Sequence, residues 1–116
     1  MKDVAEKLTS EWANKPRVVY IAEYYNYAEL GKWLESQGVK QTNEGLHDDF
    51  AITAQMLLID PVSVRMEQRQ AAGKFTINGI DLTAEAKTHE WGKKIVEYRV
   101  DTTIRALNAA LGKTTK

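Results

Sequence analysis

The sequence predicts an α/β domain, α+β on a strict count, with three or four helices around a short sheet and a small β-hairpin. Three observations point there. The run Arg17-Val18-Val19-Tyr20-Ile21-Ala22 is β-branched and apolar on both faces, like a central strand covered by helices. Asn78-Gly79 sits between two short apolar runs and is the preferred type I′ hairpin turn, whose two central positions both need φ > 0. Most of the remaining sequence carries helical spacing between recognisable start and stop residues.

In chain order, residues 2–14 read as a helix. Val4, Leu8 and Trp12 share one narrow face, and Pro16 stops it. A stripe this narrow needs a neighbour, so Trp12 belongs to a core or a subunit interface. The strand at 17–22 follows. Asn26 then suits an N-cap, with Glu29 three residues on, and a helix runs to about Gln37 on an apolar face of Leu30, Trp33 and Leu34. Gly38 fits the position that ends it, and strand, loop and helix together make half of a βαβ unit. Residues 39–49 are polar and irregular. The run FAITAQMLLI, Phe50 to Ile59, favours a helix buried on most sides, capped by Asp48 or Asp49 and ended at Asp60-Pro61. Residues 62–74 read as a loop with local turns, and 74–82 as the hairpin. A last helix, about 84–111 and capped by Thr83, carries two apolar stripes. One is Trp91, Ile95, Tyr98 and Thr102; the other is Val96, Val100, Ile104, Leu107 and Leu111. That face is broader than one small domain requires, so the helix is central or also packs on another subunit.

A length of 116 residues suits one domain spanning the whole chain. The absence of cysteine excludes disulfides, thiol catalysis and Cys-ligated zinc. Sixteen basic residues balance sixteen acidic ones, which argues against a nucleic-acid or anionic-membrane partner. Residues 1–58 hold 6 basic and 9 acidic residues and residues 59–116 hold 10 and 7, a mild polarity that favours head-to-tail contact between subunits. No apolar run reaches the roughly 18–20 residues of a membrane span, and the charged start MKDVAEKLTSEW has no signal-peptide core, so a cytoplasmic location is expected.

The candidate chemistry is sparse. His89 lacks the second histidine at i+4 that a zinc-protease helix needs, because position 93 is Lys, and it reads as a solvent-facing helical residue. No glycine-rich phosphate loop or nucleophile elbow is present. His47 lies beside Asp48 and Asp49 just before the buried helix; a histidine there suits proton transfer near neutral pH. Glu23, Tyr24 and Tyr25 follow the expected strand at the end where α/β sites lie, although clustered tyrosines more often pack in a core.

The stretch from Glu44 to Leu58, followed by Asp60-Pro61-Val62-Ser63-Val64-Arg65-Met66, resembles the creatininase (creatinine amidohydrolase) family. His47, Thr53, Met56, Leu57, Pro61 and Val64 match that family's loop histidine, Glu-Thr-Ser segment, Met-Leu helix and Pro-x-x-Val turn. The long last helix with Gly92-Lys93-Lys94 and the strand with its Tyr-rich loop are similar too. The resemblance corresponds to the family's C-terminal half. It implies an α/β sandwich, homo-oligomers and cyclic-amide hydrolysis by a divalent metal, with His47 as the acid–base residue of the substrate pocket. The family's Glu-x-His and His-x-Glu ligand pairs are missing from this chain, Ile52 replaces the Glu of Glu-Thr-Ser, and Ala54 replaces its Ser. The start before an amphipathic helix fits a shortened or truncated member.

These readings lead to an expected function as a non-catalytic, creatininase-like homo-oligomer with no cofactor. Two alternatives stand beside it. One is a ligand-binding or hydrolytic pocket rebuilt between subunits around catalytic His47, with Glu23, Tyr24, Tyr25, Asp48 and Asp49 as binding residues, and with Zn or Mn only if oligomerisation rebuilds a metal site. The other is a subunit that completes a separate N-terminal half.

Overall fold

The computed structural model describes residues 1–13, 16–42 and 49–112. The chain is mainly helical. Its elements are α1 (Lys2–Glu11), a 3-10 turn (Ala22–Tyr25), α2 (Tyr27–Ser36), α3 (Phe50–Ile59), α4 (Pro61–Val64), α5 (Met66–Ala71), β1 (Thr76–Ile77), β2 (Ile80–Asp81) and α6 (Glu85–Ala110). Among the described residues the only sheet is the two-stranded antiparallel β1–β2 hairpin. The expected α/β architecture around a sheet is therefore corrected to a helical one.

The chain divides into two compact units: Met1–Asn26 with Asp101–Lys116, and Tyr27–Val100. The second unit holds the core. Leu30 and Leu34 of α2, Phe50, Ala51, Ala54 and Leu57 of α3, Met66 of α5, Ile77, Leu82 and Ile95 of α6 form one buried cluster. Trp33, Trp91 and Tyr98 pack against it. The Trp33 and Tyr98 rings stack at 4.4 Å, and Trp91 meets both Trp33 and Phe50 edge-on. The expected faces supply this core: Leu30 and Leu34 are buried with Trp33 half-buried, Ile95 is buried between half-buried Trp91 and Tyr98, and α3 is buried or half-buried except at Met56 and Ile59, which are exposed.

Local signals set the helix ends. Asp49 caps α3, its Oδ1 accepting the Ile52 N–H at 2.7 Å. Gln41 Oε1 accepts the Phe50 N–H at 2.7 Å. Gly38 ends α2 at φ 83°, with Val39 N–H donating to Leu34 O and Gly38 N–H to Glu35 O, the paired bonds of a Schellman motif. The hairpin pairs Thr76 with Asp81 and Ile77 with Ile80, and Asn78 and Gly79 take φ 48° and 77°, as a type I′ turn demands. Where α3 and α6 cross, Gly92 brings the two backbones together. A Cβ at that position would overlap the Ala54 carbonyl oxygen and lie 3.1 Å from Leu58 Cβ.

Two further expectations are corrected. Residues 17–22 form no strand, and the 3-10 turn begins at Ala22. A β-branched run becomes a strand only where another strand offers a ladder. Here the Val18 N–H donates to Thr9 Oγ1 and the Thr9 hydroxyl donates to Val18 O, so a side chain of α1 takes the ladder's place. Residues 62–74 are not a loop but hold α4 and α5, separated by Arg65 in the left-handed region at φ 53°. Pro61, read as a stop, also opens α4, because the first turn of a helix needs no proline N–H.

Candidate functional site

The structure places the expected site residues in different settings. Glu23, Tyr24 and Tyr25 share the 3-10 turn of the first unit. Both tyrosines are exposed, their rings edge-to-face at 4.8 Å, so they are not core residues. Glu23 lines an open cavity of about 460 Å³ with Lys2, Glu6, Thr9 and Arg17, a wall of mixed charge. Asp49 belongs to the second unit, and its carboxylate is engaged in capping α3. His47 and Asp48 lie outside the described residues.

The divalent metal implied by the family resemblance needs about three converging side chains. Among the described residues no three His, Asp or Glu side chains gather to hold an ion. His89 is partly exposed on α6, its Nδ1 4.0 Å from Glu90 Oε1. Glu90 in turn is tied to Lys93 at 2.7 Å, and this hydrogen-bonded ammonium, with its charge, holds the Glu90 carboxyl below the usual range.

A second open cavity, about 400 Å³, lies within the second unit, where α3, α4 and α5 supply its walls. Its polar lining includes Arg65, Arg69, Lys74, Gln68 and Thr53. The sequence reading missed this group because it treated 62–74 as a loop. Helices of four and six residues carry too little period to mark it in the sequence.

The third feature is a surface. Of the two α6 stripes, the second is half-buried at Val96 and open beyond it: Val100, Ile104 and Leu107, with Leu111 just past the helix end, are 52, 48, 37 and 50 % exposed. The face expected of Val4, Leu8 and Trp12 is open at both ends, Val4 at 54 % and Trp12, which caps α1, at 46 %, while Leu8 between them is half-buried. Among the described residues of the first unit, Ala5 is the sole buried hydrophobic side chain.

Comparison of the chain with protein-family models, with curated proteins and with solved structures gives no match. No helix of the described residues is long and apolar enough to cross a membrane.

Proposed function

We propose that the protein works as a non-catalytic homo-oligomer that associates through the open stripe of α6. The observation that carries this reading is the exposure of Val100, Ile104 and Leu107 along one face of a helix that runs for 26 residues, with exposed Leu111 just past its end. At 1.5 Å per residue such a helix is roughly 39 Å long. An apolar row on a helix of that length loses water contact only when another surface covers it. A second copy supplies the same row, and pairing like with like is what a two-fold interface does. A net charge of zero favours this occupant over a polyanion, which calls for a basic surplus.

The same proposal treats the creatininase-like segment as a sign of descent. Ile52 and Ala54, standing where that family has Glu and Ser, support a chain that lost the chemistry. Sedimentation velocity on the full chain over a concentration series tests the association. A mass that rises to a dimer or a larger multiple is expected, and a monomer throughout would overturn it. Cyclic-amide hydrolysis by the purified protein supplied with Zn²⁺ or Mn²⁺ would overturn the non-catalytic half.

A further inference from the structure

We propose that the cavity of the second unit is a binding site for a small amphiphilic oxyanion, a phosphate monoester or carboxylate carrying a short apolar body. Three cations line it: Arg65 at the junction of α4 and α5, Arg69 one turn further along α5, and Lys74 just beyond that helix. Chain geometry enforces this grouping. Arg65 caps α5 in the left-handed conformation, and Gly73 at φ 66° turns the chain back so that Lys74 N–H donates to Arg69 O at 2.7 Å. Among the described residues no carboxylate lines the cavity, and the Arg65, Arg69 and Lys74 side chains form no ion pair or hydrogen bond. Arg69 Nε is buried and has no hydrogen-bond partner, alone in this among the described side-chain atoms.

Arg65 and Lys74 are exposed and Arg69 is half-buried, so water screens the repulsion among the three cations. The buried Arg69 Nε–H, without an acceptor, loses the hydrogen bond water would have given it. A bound oxyanion supplies that acceptor. It offers acceptors to the Arg69 fork in the planar, bidentate geometry that arginine favours, and it neutralises the neighbouring cations. The polar neighbours divide their roles. The Ser63 hydroxyl already donates to Asp60 O at 2.9 Å, whereas among the described residues the side chains of Thr53 and Gln68 carry donors without such an engagement. The rest of the lining is apolar, Ile52, Met56, Val64 and Ile77 among it. That floor suits the body of an organic anion and adds affinity that a bare inorganic ion cannot gain.

The site does not depend on self-association, since every residue belongs to one chain and one unit. Isothermal titration calorimetry on the full-length protein tests it with four probes: phenyl phosphate, benzoate, inorganic phosphate and the neutral benzyl alcohol. Phenyl phosphate or benzoate is expected to bind, inorganic phosphate more weakly, and benzyl alcohol not at all. Which anion binds tighter tells a phosphate site from a carboxylate site. Arg69→Gln should weaken the organic anion about 10- to 100-fold, as loss of a charged hydrogen bond does, and Lys74→Gln, outside any helix, should weaken it less. Added salt should weaken the wild type more than either variant. Failure of all three anions to bind at millimolar concentration would overturn the proposal. So would equal affinity of the wild type and both variants, or equal binding of benzyl alcohol.

Discussion

Replacing Gly92 with alanine sets two known effects against each other. In a helix interior alanine is favoured over glycine by about 1 kcal/mol, so on propensity alone the change stabilises α6. The α3–α6 crossing opposes it. The added Cβ would overlap the Ala54 carbonyl oxygen, lie 3.0 Å from the Ala54 carbonyl carbon and 3.1 Å from Leu58 Cβ. Backbone atoms of a buried helix cannot swing aside, so the helices must separate by roughly 1 Å to reach an ordinary contact of about 3.3–3.6 Å. A gap of that size forfeits a quarter to a half of each dispersion contact across it, roughly 2 kcal/mol for the three large side chains Phe50, Leu57 and Ile95. Those three are almost fully buried, and Ala54 at the crossing is completely so. Strain from overpacking adds about 1–3 kcal/mol. The sum outweighs the propensity gain, and Gly92→Ala should lose about 2–4 kcal/mol. Gly31 is the control: it lies inside α2, and a Cβ there meets nothing within 4 Å. Gly31→Ala should stabilise by about 0.5–1 kcal/mol. Equilibrium urea unfolding at one fixed protein concentration, followed by tryptophan fluorescence, reads both. A Gly92→Ala protein as stable as the wild type would refute the close crossing.

Two further expectations follow from the helix and hairpin ends. Asp49→Ala should cost about 1 kcal/mol in the same unfolding assay, the usual worth of an N-cap, while Asp49→Asn should keep most of it. Asp81 accepts the Thr83 backbone N–H at 2.8 Å and the Thr83 hydroxyl at 2.7 Å, and these bonds, in that order, lower its pKa. A lowered folded-state pKa stabilises the fold at pH above the unfolded value, and the gain fades as pH falls through the folded one. In an NMR pH titration the Asp81 carboxyl should therefore titrate below the ordinary aspartate value of about 3.9. Thr83→Val should move it part-way back, because the backbone N–H remains.

Where the sequence carried its own punctuation, the fold was legible. Asn78-Gly79 forces two positive φ values, Gly38 ends α2, and Asp49 caps α3; each signal acts within a few residues. The run at 17–22 failed because a strand is a property of two segments, and Thr9 satisfies Val18 here instead. Residues 62–74 failed because Pro61 was weighed only as a stop, and two helices as short as α4 and α5 show too little period to notice. Missing α5 hid the cationic cavity, since Arg65, Arg69 and Lys74 meet only once that helix and its Gly73 turn exist. Of the expected site, Glu23, Tyr24 and Tyr25 do fall together, and Asp49 serves its helix. The broad face of the last helix was legible as two stripes: Trp91, Ile95 and Tyr98 of the first pack in the core, and the second is exposed from Val100 on.

If the second stripe joins two copies of the chain, charge inserted into it separates them. Ile104→Glu with Leu107→Glu places two carboxylates where an apolar partner must sit, at positions the single chain leaves 48 and 37 % exposed. Sedimentation equilibrium, run beside far-UV circular dichroism, should show the wild type as an oligomer and the double variant as a monomer with its helix content kept. A double variant of the same mass as an oligomeric wild type, or a wild type that is itself monomeric, would contradict it.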